Sequence, residues 1–285
     1  MATYTKTMTQ KEINALYNRI KPILLSESKP PYTLFSVKTN ECTITAYQSG
    51  KVVFQGKNLD WLTDTSNEPT KNIYPQAGSD EVGTGDYFGP VVVASCIVEE
   101  KNVELLKSLG IQDSKQINDD KIKQLAPIIK KKCPHSILIL SNQKYNKIHE
   151  SHNMVDIKCQ MHNQAYINLI HKGYNLPKSI IIDQFVQEKN YYRYLAKKSH
   201  VIKNIHFETK AENKYLSVAC ASILARNALL ESFEKMENVY HFKFEKGAGS
   251  KVDSCAKKFI NQFGQDALPL VAKIHFKNTE KALDM

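Results

Sequence analysis

The chain has 285 residues and a net charge of +10, from 39 Lys plus Arg against 29 Asp plus Glu; that length is large for one compact domain and comfortable for two. Hydrophobic residues make up 42% and charged residues 24%, the balance of a globular protein, and the first twenty residues lack the apolar stretch of a secretory signal, so a secreted or membrane-spanning chain is not expected. Six scattered cysteines with no Cys-x-x-Cys pair argue against a disulfide scaffold or zinc ribbon and fit a cytoplasmic setting, while the positive balance favours a polyanionic partner.

Thr9-Gln-Lys-Glu12 has the form of a capping box, and Ile13, Leu16, Tyr17, Ile20, Ile23 and Leu24 then recur at helical spacing. The period switches to two over residues 33–38 and 41–47, and Ser49-Gly50 turns the chain into a return strand at 51–55. In the second of these strands Cys42, Ile44 and Ala46 share one face, leaving Thr43, Thr45 and Tyr47 for solvent or a ligand. Tyr47, Ser49 and Lys51 are candidate nucleic-acid contacts there. The polar stretch 63–74 reads as a linker between an N-terminal domain (1–62) and a larger domain (75–285).

The larger domain alternates strand patterns at 76–80, 90–98, 136–140, 179–183 and 201–207 with helix patterns at 118–132, 155–172, 190–198, 211–236 and 253–262, which argues an α/β fold. Ile157, Met161, Ala165 and Leu169 form a core stripe, and Val218 to Ala225 reads as a buried helix with Cys220 as an inert core thiol. His149-Glu-Ser-His152 lacks metalloprotease spacing, Lys130-Lys-Lys132 reads as a charged helix end, and Asp86 and Asp113 read as structural acids.

The densest chemistry lies in Gly78-Ser-Asp-Glu-Val-Gly-Thr-Gly-Asp-Tyr-Phe-Gly-Pro90. Its glycines do not make a dinucleotide loop, because a β-branched strand pattern, VVVASCIV, follows where that loop needs a helix. Asp80 and Glu81 end a strand, Asp183 ends the apolar strand Ser-Ile-Ile-Ile-Asp, and Glu212 opens a helix. Neighbours on a strand point to opposite faces, so a shared site for Asp80 and Glu81 requires the backbone to turn at once, through residues 82–85. Four converging carboxylates repel unless cations balance them; two Mg²⁺ ions would do so, and that is the usual machinery of phosphodiester hydrolysis.

The ordered set Asp80-Glu-Val-Gly-Thr-Gly-Asp-Tyr-Phe-Gly-Pro90, Asp113-Ser-Lys115, Ile-Ile-Asp183 and Lys-Ala-Glu212-Asn-Lys-Tyr, with Ala-Ser-Ile-Leu-Ala225 behind it, resembles bacterial ribonuclease HIII, of the type 2 ribonucleases H. The resemblance covers residues 75–285, and the N-terminal segment is similar to that family's substrate-binding domain. It implies a ribonuclease H-like mixed sheet with flanking helices, plus a small N-terminal α+β domain resembling the TATA-binding protein fold. It implies Mg²⁺- or Mn²⁺-dependent cleavage of the RNA strand of RNA–DNA hybrids, with Asp80, Glu81, Asp183 and Glu212 holding two ions. Asp80 would bridge them, Asp183 would serve the ion that activates water, and Glu81 and Glu212 the leaving-group side. Gly83, Thr84 and Gly85 would read ribose, and Lys115, Lys210, Lys214 and Lys246 would meet phosphates. No obligate protein partner and no membrane are expected, and the chain is expected to be a monomer. Ribonuclease HII usually carries Asp in place of Glu212, and it reads the RNA–DNA junction with a tyrosine for which no counterpart aligns here. Incision at single embedded ribonucleotides and non-catalytic hybrid binding are the alternative readings.

Overall fold

The computed structural model describes residues 2–40, 42–56, 73–111 and 117–283. The chain divides into two compact units, Met1–Lys71 and Asn72–Met285. The linker expected at 63–74 lies, up to residue 72, outside the described residues, as do Asp113 and Lys115.

The first unit is one antiparallel sheet with a helix packed on it. Its elements are β1 (Ala2–Thr7), α1 (Gln10–Ile20), β2 (Ser26–Ser28), β3 (Thr33–Lys38), β4 (Cys42–Tyr47) and β5 (Lys51–Gly56), in the sheet order β1-β5-β4-β3-β2. The capping box forms: the Glu12 amide donates to Thr9 Oγ1 at 3.4 Å, and the Thr9 amide donates to Glu12 Oε2 at 2.7 Å. Ile13, Leu16 and Ile20 of α1 share a core with Val37, Cys42, Ile44, Ala46, Val52 and Phe54. Along β4, Cys42, Ile44 and Ala46 are buried and Thr43, Thr45 and Tyr47 are half-buried, as the alternation requires. Strand β1 is an addition to the sequence reading. Its residues, ATYTKT, carry no apolar alternation, and its register comes from pairing with β5.

The second unit runs β6 (Gln76–Val82), β7 (Val91–Val98), α2 (Glu100–Ser108), α3 (Asp119–Lys132), β8 (His135–Leu140), α4 (Asn142–His149), α5 (Met154–His171), β9 (Ser179–Asp183), α6 (Glu188–Tyr194), β10 (Ile205–Glu208), a 3₁₀ turn at Ala211–Asn213, α7 (Leu216–Tyr240), α8 (Ser250–Phe263), α9 (Leu268–Val271) and α10 (Lys277–Leu283). The sheet order is β10-β9-β6-β7-β8. Strands β6, β9 and β10 run parallel, and β7 is antiparallel to both its neighbours, so the sheet is mixed. Both faces are covered. Val92, Ala94, Cys96 and Val98 of β7 join a core with α7, while Val91 and Val93 pack with Ile157, Met161 and Ala165 of α5. This is why β7 reads as an unbroken apolar run.

Helix α7 lies directly on β6. A Cβ at Gly78 would stand 2.4 Å from the Val218 amide nitrogen, so only glycine allows this approach. By length and composition α7 could cross a membrane, which the sequence reading did not anticipate, but 78% of its apolar window is buried within the unit, as in a core helix. Other expectations are corrected. The helix expected over 211–236 breaks into a 3₁₀ turn and α7, with Lys210 left-handed at φ 54°. The helix expected over 190–198 is Glu188–Tyr194, and the strand expected over 201–207 shrinks to Ile205–Glu208. Helices α2 and α4 were not anticipated. Each is short, and packing on the sheet supplies what local pattern does not.

Candidate active site

The ladder decides where the acids stand. Asp80 pairs with Ala94 and Glu81 with Val93, so β6 stays regular through both residues and does not turn between them. Asp80 therefore shares the α7 face with Ala94, and Glu81 the α5 face with Val93. Parallel pairing of Ser79 with Ile182 brings Asp183 level with Asp80 on the neighbouring strand. The Asp183 carboxylate accepts the Ala211 amide at 2.8 Å, which ties the end of β9 to the 3₁₀ turn carrying Glu212. All four sequence-predicted acids border one cleft of about 260 Å³, together with Ile122, Ser222 and Arg226.

The environments of the acids differ. Burial, reinforced by the negative charges of Glu81 and Asp183, pushes the Asp80 carboxyl up to about 8, against hydrogen bonds from the Ser222 side chain and the Glu81 amide. Burial also acts to raise Glu81, but two partners on α5 outweigh it and hold that carboxyl below its ordinary value. Lys158 Nζ donates to Oε1 at 2.8 Å and His162 Nε2 donates to Oε2 at 2.9 Å. The other His162 nitrogen, Nδ1, lies 2.7 Å from Ser79 Oγ, and Phe185 stacks on the His162 ring and lies 4.0 Å from Lys158 Nζ. Glu212 is buried, at 3% exposure.

Whether divalent cations suit this cleft rests on its donor chemistry. All four acids offer hard oxygen, and the raised Asp80 carboxyl marks a place short of positive charge. Among the described residues no three His, Cys, Asp or Glu side chains converge closely enough to hold an ion as they stand. Glu81 borders the cleft with its carboxylate held by Lys158 and His162. The set fits the group in kind.

Gly83, Thr84 and Gly85 follow the acids after Val82, the last residue of β6. Gly83 has φ 85°, and a Cβ there would meet Pro90 O at 2.3 Å; at Gly85 nothing lies within 4 Å, so the space beside it is open. Lys214 bonds Glu208 Oε1 at 3.0 Å, Lys246 bonds Asp119 Oδ2 at 3.0 Å, and Lys210 is exposed. Tyr47, Ser49 and Lys51 lie at the β4–β5 turn of the first unit. Sequence reasoning missed Lys158, His162, Ser222 and Arg226. A signal existed for two pairs: Lys158 and His162, and Ser222 and Arg226, each stand four apart on a helix and so share a face. Arg226 is held by Asp119 at 2.6 and 3.0 Å and by the Ile117 carbonyl at 2.9 Å, a basic group on the lip of the acidic cleft.

A family model described as "Ribonuclease HII" matches residues 77–279, and one described as "Domain of unknown function (DUF3378)" matches residues 5–72. The protein named "Ribonuclease HIII" from Streptococcus thermophilus is 40% identical over 293 residues, covering 99% of this chain and 98% of that one. Its namesake from Bacillus cereus is 41% identical over 283 residues, covering 91% of each. The crystal structure of Bst-RNase HIII in complex with Mn²⁺ superposes with a TM-score of 0.73 at 37% identity, covering 99% of this chain and 98% of that one. The ribonuclease H2 from Pyrococcus horikoshii OT3 gives a TM-score of 0.62 at 25% identity over 72% of this chain.

Proposed function

This chain belongs to the ribonuclease HIII family, and from that premise we propose that its ribonuclease H activity on RNA–DNA hybrids resides in the cleft bordered by Asp80, Glu81, Asp183 and Glu212. The observation that carries the reading is the charge imbalance of that cleft: four acids against one arginine on one lining, one of the acids lifted to about 8 by its burial and its acidic neighbours. The four carboxylates would hold Mg²⁺ or Mn²⁺, two ions during catalysis. Bound there, such ions would activate water and stabilise the leaving oxygen of an in-line displacement at phosphorus. Water adds to phosphorus as the bond to the 3′-oxygen breaks, leaving 5′-phosphate and 3′-hydroxyl ends.

The chain's own residues do the rest. Asp80 and Asp183 stand level on adjacent strands and present oxygen from a rigid sheet. Lys158 and His162 keep the Glu81 carboxylate ionised and aimed until it is needed. Gly85, with open space beside it, and Thr84 would meet the ribose 2′-hydroxyl, which separates RNA from DNA. Lys115, Lys210, Lys214 and Lys246 would meet backbone phosphates, and Arg226 would add to them at the lip of the cleft.

The test is cleavage of two substrates under one Mg²⁺ and salt condition, read by denaturing electrophoresis. A long RNA strand paired with DNA should be cut at several places. Duplex DNA with a single ribonucleotide should be cut poorly, because the turn reads ribose locally while the remaining grip depends on hybrid shape. Comparable rates would favour incision of the ribonuclease HII kind, and binding without cleavage would favour a hybrid-binding module.

Residues 1–62 are proposed as a separate substrate-binding domain, with Tyr47, Ser49 and Lys51 at its contact turn and residues 75–285 as the catalytic domain. The cores of the second unit draw their residues from 74–282, so a chain starting at Ile73 should fold. Its hybrid affinity should fall by roughly 10²-fold, the scale lost when one of two linked binding modules is removed. Equilibrium binding to a labelled hybrid checks this, and an unchanged dissociation constant would reduce the β4–β5 turn to a solvated surface.

A further inference from the structure

Lys273 is fully buried, at 0% exposure, outside the acidic cleft. Its Nζ donates to the Asp86 carbonyl at 2.7 Å and to the Gly89 carbonyl at 2.5 Å. These are the two ends of the turn that follows Gly83-Thr84-Gly85. The same turn is stitched down on every side. The Lys273 amide donates to the Tyr87 carbonyl at 2.9 Å, and the Gly89 amide to the Val271 carbonyl at 2.9 Å. Asn142 Nδ2 donates to the Gly89 carbonyl at 2.8 Å, and the Asp86 carboxylate accepts the Gly247 amide at 2.6 Å. Lysine is rarely buried without an acid hydrogen-bonded to it, because stripping water from an ammonium group is costly. Here backbone carbonyls take the place of that water.

We infer that Lys273 is the positioning residue of the ribose-reading turn: its buried side chain draws the Asp86 and Gly89 carbonyls together and so fixes where Gly83, Thr84 and Gly85 face the substrate. This rests on the reading above that the turn meets ribose. The geometry favours the assignment over plain packing. An apolar side chain could fill the volume, but it would take away the donor of the Asp86 carbonyl, leave the Gly89 carbonyl to Asn142 alone and remove the one group that joins the two. The cost of the burial shows in the amine itself, which burial lowers to about 7 against the pull of the Asp86 charge. His275, two residues on and stacked on His149 at 4.0 Å, adds no anionic group to hold the ammonium.

The test compares Lys273→Met with wild type in the full chain. Steady-state kinetics on a long hybrid should show KM rising about ten-fold with kcat nearly unchanged, the scale of one substrate hydrogen bond lost from the contact surface. A Mn²⁺ titration of the protein without substrate should be unaltered, because the acids are untouched. Unchanged KM overturns the proposal. So does a uniform fall of kcat, Mn²⁺ affinity and melting temperature, which would mark a merely structural role. If the Met variant does not melt cooperatively, Lys273→Gln, which keeps a donor, carries the same comparison and should show a smaller rise in KM. Gly85→Ala tells the two readings apart. If it raises KM and Lys273→Met does not, the lysine assignment alone falls; if it leaves KM unchanged, the turn does not read ribose and both fall.

Discussion

Replacing Asp80 with Asn is expected to lower hybrid cleavage by about 10³-fold or more, since in the proposed site it removes a charge that would balance cations at the reacting phosphate. Hybrid binding should be largely retained, because in the proposed reading basic side chains, and not the carboxylates, supply the phosphate affinity. Single-turnover cleavage and filter binding on the same hybrid separate the two, and near-normal turnover removes Asp80 from the site. The same variant carries a pH signature in the absence of metal. The Asp80 carboxyl is raised from 3.8 in the unfolded chain to about 8 in the fold. Between those values the folded state holds a proton that the unfolded state has lost. This group's contribution is therefore fully present at low pH and is lost as pH rises toward about 8, at up to about 1.4 kcal/mol per pH unit. Urea unfolding in a chelator should show wild type losing stability relative to Asp80→Asn between pH 5 and about 8. Added Mn²⁺ should restore the wild type and not the variant. Parallel pH profiles would show that Asp80 is not the strained acid.

Replacing His162 with Ala is expected to weaken Mn²⁺ binding and activity by about 10- to 100-fold, the usual cost of removing a group that orients a ligand. His162 makes a 2.9 Å bond to Glu81 while its other nitrogen lies 2.7 Å from Ser79, so it fixes the carboxylate against its own strand. The loss should appear in a calorimetric Mn²⁺ titration as well as in the rate, and high Mn²⁺ should recover much of the activity. Glu81 is the opposite case to Asp80 in linkage. Its folded carboxyl is lowered, so the stabilisation is present above the unfolded value and is lost as pH falls through the folded one. That acid-side loss should shrink in His162→Ala. A variant with wild-type Mn²⁺ affinity would reduce the Glu81–His162 contact to simple packing.

Much of the cleft was legible in the sequence because each acid sits where a local pattern ends. An apolar strand stops at Asp183, a strand pattern runs into Asp80 and Glu81, and a helix pattern begins near Glu212. In an α/β sheet such endings gather on one edge, so order along the chain became proximity in the fold. The capping box at Thr9 and the alternation in β4 were legible for the same reason, being fixed by side chains three or two residues apart. The turn expected through residues 82–85 comes only after the strand, which runs on through both acids to Val82, so Glu81 borders the cleft from the opposite face of the strand.

The sequence by itself therefore determined the ordered acids, the mixed α/β class and the helix-on-sheet first unit. The tertiary structure decided what those acids feel. Lys158 and His162 meet Glu81 across 77 and 81 residues, and Lys273 meets Gly89 across 184. Short-range periodicity reports which face of an element is buried, and it carries no record of which distant polar group will be buried against it. Those partners, and the raised and lowered carboxyls that follow, exist only once the sheet and its two covering helices have closed.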